Sequence, residues 1–130
     1  MWIRKDSYAD LGKCLNWHEA KVYVENLATE GYTDWRLPLV GEYGMIYDNT
    51  KENNMSWNHN QEELLALSKQ FADGAAYWYW SAEYNENDLE DCCARTAYFV
   101  KGNAFWRNLS TCQNGGVRAI RDLNYRAARI

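Results

Sequence analysis

Apolar side chains recur at helical spacing between Trp17 and Ala28, where Trp17, Ala20, Val24, Leu27 and Ala28 line one face of LNWHEAKVYVENLATEG. Asn16 stands three residues before Glu19, the spacing at which a side-chain acceptor and a returning carboxylate satisfy the free amides of a helix start. Gly31 supplies the stop, so the pattern predicts an amphipathic helix over about 17–30. A second helix is expected after Pro38 through GEYGMIYD, with Tyr43, Ile46 and Tyr47 on one face, although Gly41 and Gly44 weaken it. The run NTKENNMSWNHN is Asn-rich and aperiodic and reads as a surface loop. A third short helix is expected next: Asn60 and Glu63 repeat the capping spacing, Leu64, Leu67 and Phe71 mark one face, and Asp73-Gly74 ends it.

From Ala75 the period changes from helical to alternating. AAYWYWSAEY is aromatic and β-favouring, with Trp78 and Trp80 on one face and Tyr77 and Tyr79 on the other. The polar segment NENDLEDCC reads as a loop. TAYFV and FWRNL then read as two strands joined by the tight connection KGNA. TCQNGG is a second turn, and VRAIRDL alternates Val117, Ala119 and Arg121 against Arg118, Ile120 and Asp122 as a last strand. Helices first and strands after predict an α+β fold, two to three helices packed on a twisted antiparallel sheet.

At 130 residues the chain has the size of one ordinary domain, and 1–130 is read as such. Its 47% apolar and 25% charged residues exclude disordered and low-complexity classes. Seven Trp, ten Tyr and three Phe are more rings than a small core needs, and Trp and Tyr favour recognition surfaces. No apolar run approaches a membrane span. MWIRKDSYADLGKC has no apolar stretch after its basic residues and does not read as a signal peptide, so the chain is either cytosolic or begins after a removed leader.

The net charge of −4 conceals a polarity. Residues 1–94 carry 7 basic and 17 acidic groups, whereas 95–130 carry 7 basic groups and the single acid Asp122. The basic third either meets an anionic partner or packs on the acidic body of the same molecule. Nucleic acid is not an expected partner, because the chain as a whole is acidic.

Cys14, Cys92, Cys93 and Cys112 permit three full pairings, one of which requires an awkward bond between the neighbours Cys92 and Cys93. Cys112 joins Cys14 or a member of that pair, with buried free thiols as the alternative. Without a C-x-x-C, and with only His18 and His59 elsewhere, no zinc site is expected.

Taken in order, LNWHEAKVYVENLATEGYTDWRLP, YWSAEY, the aromatic hairpin around KGN and GVRAIRDL resemble the bacterial domain family typified by the C-terminal domain of the Legionella collagen-like protein. They also resemble its relative, the Fibrobacter succinogenes major paralogous domain. The resemblance covers about 16–122 and leaves 123–130 as a C-terminal tail. It implies a C-type lectin-like fold with the chain ends close together. It implies that Trp35 and Leu37 bury at the joint between helix and sheet and that Arg36 pairs there with an acid or with carbonyls. Trp80 and Ser81 belong in the central strand by the same resemblance, and Arg118 is the core-facing or rim arginine of the last strand. Leu39 and two glycines depart from the Thr or Ser that usually follows RLP. The Glu-Pro-Asn, Gln-Pro-Asp and Trp-Asn-Asp motifs of calcium-dependent lectins do not occur, so calcium-dependent sugar binding, a metal or another cofactor is not expected.

The resemblance implies a non-catalytic display module, with function on its loops and exposed sheet face. Candidate ligand-binding residues are Tyr84, Asn85 and Asn87 at the acidic loop, then Asn103, Phe105, Trp106 and Arg107 in the hairpin, and Asn108, Ser110 and Asn114 in the following turn. Rings give contact area at low entropy cost, and amides and Arg give directional hydrogen bonds. The plainer reading is a solvated hairpin with ordinary turn residues. The ligand class is a protein or a glycan. Some relatives are variable proteins of diversity-generating retroelements, which implies diversification between Ala94 and Gly116. A sulfated polyanion is the alternative ligand, with Lys101, Arg107, Arg126 and Arg129 as contacts, since the collagen-like protein's domain binds sulfated glycosaminoglycans. Its trimerisation also makes a homo-oligomer a possible assembly. Surface display, secretion or attachment to a virion follows if the chain travels as part of a larger exported protein. Formylglycine-generating enzymes share the broad fold, but no histidine base stands near the thiols, and five acids from Glu83 to Asp91 disfavour a reactive thiolate at Cys92 or Cys93. Catalysis is therefore not expected.

Overall fold

A computed structural model of the chain describes residues 1–84 and 93–122. Its first element is one the hydrophobic pattern does not announce. Helix α1 (Ser7–Leu11) has only five residues, too few to show a period, and is bracketed by Asp6, whose carboxylate accepts from the Ala9 amide, and by Gly12 at φ 71°. Helix α2 (Trp17–Glu25) starts as expected, with Asn16 and Glu19 exchanging both bonds of a capping box and Trp17, Ala20 and Val24 buried. It ends earlier than the expected 30. The Trp35 indole takes the Thr29 carbonyl at 3.2 Å, and Thr29–Gly31 forms a separate 3-10 turn. A tertiary donor thus replaces the helical one.

Helix α3 (Val40–Tyr43) is the expected second helix reduced to about one turn, entered where the Glu42 carboxylate accepts from the Leu39 amide at 2.8 Å. Its Tyr43 is buried against Tyr79 and Phe99. The expected third helix is absent. The Asn60 side chain accepts from the Glu62 amide rather than from that of Glu63, which makes a turn instead of a helix cap. Asn53 and Leu65 then exchange two backbone bonds of 3.0 Å, and Leu65 and Leu67 both enter the core. Leu65, Ala66 and Leu67 are all buried in succession, and the backbone pairing with Asn53 overrides the helical spacing of Leu64, Leu67 and Phe71.

Strands β1 (Trp78–Tyr84), β2 (Cys93–Tyr98), β3 (Ala104–Asn108) and β4 (Gly115–Gly116) form one sheet in the order β3-β2-β1-β4. β1 and β2 pair antiparallel, as do β2 and β3, but β4 runs parallel to β1, so the sheet is mixed and not wholly antiparallel. The class is α+β. β2 begins three residues before TAYFV and ends at Tyr98, which leaves a longer connection than KGNA. VRAIRDL is not an alternating strand: Val117, Arg118, Ala119 and Ile120 are all buried. The chain's opening residues and Arg36 bracket it, through bonds from Ile3 and Ser7 amides to the Ala119 and Val117 carbonyls and an exchange between Arg36 and Ile120.

Trp35 is buried and Leu37 partly so, as the resemblance implies. Arg36 is only partly buried and pairs with Glu42 at 2.7 Å and Asp122 at 2.8 Å. Trp80 and Ser81 lie in β1, an inner strand. Arg118 is fully buried, bonded to Tyr79 at 3.0 Å and 3.5 Å from Asp6. The basic third packs on the acidic body through this pair and through Arg95–Glu83 and Arg121–Asp34. Cys14 and Cys112 are joined by a disulfide, which excludes the two frameworks that pair Cys112 with Cys92 or Cys93. Cys93 is disulfide-bonded as well. Cys92 lies outside the described residues. No helix among the described residues is long and apolar enough to cross a membrane.

Candidate functional site

The pairing register distributes the hairpin's side chains. Residues directly opposite share a sheet face, and the face alternates along each strand. Trp78 lies opposite Tyr98, Trp80 opposite Thr96, Thr96 opposite Phe105 and Ala94 opposite Arg107. These residues therefore share a first face. Arg95 lies opposite Trp106, and Ala97 opposite Tyr79 and Ala104, on a second face.

On the first face the sheet floors a cleft of about 370 Å³. Tyr77 just before β1, Trp78 of β1 and Tyr98 of β2 supply its aromatic surface. Arg107 closes one wall. Its guanidinium carbon lies 4.4 Å from the Trp78 ring centre and 5.5 Å from that of Phe105, and its Nε donates to the Thr96 hydroxyl at 3.1 Å. Burial lowers its pKa. Arg36, Arg95, Arg118 and Arg121 all have carboxylate partners, whereas Arg107 has none among the described residues. Phe105 beside it is 42% exposed, enough for a ligand to reach the ring.

The opposite walls come from two loops. Thr111, Gln113 and Asn114 line one side, held to β1 by the Trp78 indole donating to the Gln113 carbonyl at 3.0 Å and the Tyr77 amide donating to the Asn114 carbonyl at 2.9 Å. Asn114 has φ 66°, a left-handed turn that Asn tolerates. At Gly115 a Cβ would collide with the Trp78 ring, so glycine is what lets that loop close on the floor. The Cys14–Cys112 bond ties the same loop to the segment between α1 and α2, and Leu15 donates to the Gly115 carbonyl. On the other side Glu63 reaches the cleft. The Asn58 side-chain oxygen accepts from Tyr77, Ser56 and the Asn60 amide, and the Asn60 carbonyl accepts from the Glu63 amide. A chain of turn bonds therefore ties the Glu63 backbone to Tyr77. Burial raises the Tyr98 pKa, the Glu63 charge adds to the rise, and Arg107 opposes it, so both charges act on that phenol.

Of the residues singled out in the sequence, Arg107 and Asn114 line this cleft and Phe105 flanks it. Trp106 is 55% exposed on the second face, with Arg95 stacked 5.9 Å from its ring. Asn103 lies at a small hollow of about 80 Å³ with Val40 and Tyr47, also away from the cleft. Asn108 accepts from the Ser110 amide and hydroxyl, which gives both side chains a turn-forming role. Tyr84 packs 4.8 Å from Trp17 at the far end of β1. Asn85 and Asn87 lie outside the described residues, as does the rest of the acidic loop. Arg126 and Arg129 also lie outside them. The hairpin reading missed Glu63, Tyr77, Trp78, Tyr98, Thr111 and Gln113, which also line the cleft.

The family model of the Lcl C-terminal domain matches residues 1–121. The chain belongs to the Lcl C-terminal domain family. The match extends the resemblance from its expected start near 16 to residue 1, so the opening segment and α1 belong to the family pattern. Membership fits a non-catalytic domain of a larger surface protein. A search of the curated proteins returns no match.

Proposed function

We propose that this Lcl C-terminal domain is a non-catalytic binding module of C-type lectin-like fold, recognising a protein or glycan through the first face of its C-terminal hairpin and the loops around it. The observation that carries the reading is Arg107: a partly buried guanidinium without a carboxylate partner among the described residues, held between Trp78 and an exposed Phe105 at the wall of a preformed cleft. Keeping a cation partly desolvated and unpaired works against stability, and recognition sites are where such an arrangement has a use. Rigid rings beside an adaptable fork of donors are the usual anchors of a binding surface. The test is an unbiased glycan and protein array probed with the native chain and with Phe105→Ala, Arg107→Ala and Trp106→Ala. Binding lost in the first two and kept in the third supports the first face, and binding that survives the first two rejects it.

A sulfated polyanion is the second reading, favoured by the unpaired Arg107 and the exposed Lys101. Arg95, Arg118 and Arg121 are tied to acids, which shrinks the basic field available for it. Heparin retention that falls steeply with salt supports this reading, and retention indifferent to salt rejects it. Diversification of the hairpin by a retroelement remains part of the first reading. Sibling gene copies differing only at adenine-derived codons between Ala94 and Gly116 support it, and evenly scattered differences reject it.

A further inference from the structure

The cleft on the first face carries two charges of opposite sign. Glu63 stands on one wall and Arg107 on another, and neither forms an ion pair with the other or with any other described residue. Both are partly withdrawn from water, and both act on the Tyr98 phenol that shares the cleft's lining. Elsewhere the protein joins such charges, as in Arg36 with Glu42 and Arg121 with Asp34. Here a turn bond from the Glu63 amide to the Asn60 carbonyl positions that residue's backbone, the Trp78 ring and Thr96 hold the Arg107 guanidinium, and no ion pair joins the two side chains.

We infer that the cleft is built for a dipolar ligand of dipeptide size, whose carboxylate meets Arg107 and whose ammonium meets Glu63. Four features of the site converge on that chemistry. A guanidinium offers a planar fork that matches a carboxylate, and partial desolvation strengthens the pairing. A polyanionic chain entering the cleft would bring like charge against Glu63, so the arrangement selects against it while a ligand of zero net charge satisfies both walls. The volume of about 370 Å³ lies at the lower end of the range for small-molecule sites, roughly 300–1,000 Å³, and the Tyr98 and Phe105 rings leave an apolar side for one side chain. Gln113 and Asn114 supply amide groups where a peptide bond of the ligand would lie.

This inference rests on the first face being a binding face, and its test separates the two. The native chain, labelled with nitrogen-15, is titrated with glycyl-leucine, with N-acetyl-glycyl-leucine and with glycyl-leucinamide while the Trp78 indole and the Gln113 and Asn114 amides are followed. Glycyl-leucine is expected to shift these signals saturably, and blocking either end to weaken binding at least tenfold. In Glu63→Gln the penalty for the acetylated form should vanish, and in Arg107→Gln the penalty for the amide should vanish. Failure of glycyl-leucine to move these signals overturns the inference, as does equal binding of the blocked forms to the native chain. If array ligands still require Phe105 and Arg107 in that case, the broader binding reading stands and the dipolar assignment alone falls. If glycyl-leucine binds as expected while the arrays find no ligand dependent on Phe105 and Arg107, the protein or glycan reading falls and the dipolar site stands.

Discussion

Arg107 and Arg118 are both withdrawn from water, and their surroundings give them opposite roles. For Arg118 burial works against the charge, but Tyr79 and Asp6 more than offset it, and the pKa rises. It donates to the Ile3 carbonyl at 3.2 Å, and its guanidinium faces the Phe71 ring. Among the described residues its Nε is the one buried side-chain nitrogen or oxygen without a partner. Asp6 in turn accepts from the Ala9 and Ala76 amides and from Tyr79. Replacing Arg118 by Met leaves that carboxylate uncompensated, and Arg118→Met should cost about 3–5 kcal/mol in urea unfolding. Arg107→Ala, facing the cleft, should change stability far less and binding far more. Residue type pointed to Arg107 and Asn114 but equally to Trp106 and Asn103, which lie away from the cleft, and to Asn108, which forms a turn. Glu63 carries the spacing of a helix cap, and nothing in the sequence marks Trp78 or Tyr98 as cleft residues, because that role depends on which loops close over them.

At the level of elements, the sequence reading succeeds where local bonds decide and fails where distant groups do. The Asn16–Glu19 capping box is local, and α2 starts where the sequence places it. Its end is set by Trp35, and the segment after Asn60 by Asn53, neither of which periodicity can report. The short α3 is held the same way. Arg36 joins Glu42 in that helix to Asp122, with two bonds to the Glu42 carboxylate of 2.8 and 2.7 Å. This clamp keeps the Glu42 and Asp122 carboxyls below their ordinary pKa values, mainly through the bonds from Arg36. Carboxylates depressed by folding contribute stability above their unfolded pKa values, roughly 4, and lose it as pH falls through the lower folded values. The melting temperature should therefore decline as the solution is acidified below about pH 4. Arg36→Met should flatten that part of the curve, measured by circular dichroism melts across pH 2–7.

Across the whole molecule, the charge polarity seen in the sequence becomes internal pairing, with Arg95, Arg118 and Arg121 each meeting an acid from the first 94 residues. Composition shows the polarity but not its destination, since only the fold decides which acids face the basic segment. The Cys14–Cys112 bond spans 98 residues and pins the cleft's Thr111–Asn114 loop to the segment between α1 and α2. Cys14→Ser with Cys112→Ser should lower unfolding stability by about 2–5 kcal/mol, and the Trp78 indole signal should broaden as the loop loosens. Cysteine count gave the possible frameworks, but the choice among them required Gly115 to be beside β1 and Leu15 beside Gly115. The buried carboxylate of Asp6 carries a consequence for biosynthesis. Its partners are Ala76, Tyr79 and Arg118, and the neighbouring Ser7 holds the Val117 amide. The segment holding Asp6 and Ser7 therefore cannot complete its docking until Val117 and Arg118 have been made, and it stays incompletely docked while the more than one hundred residues between them are synthesised.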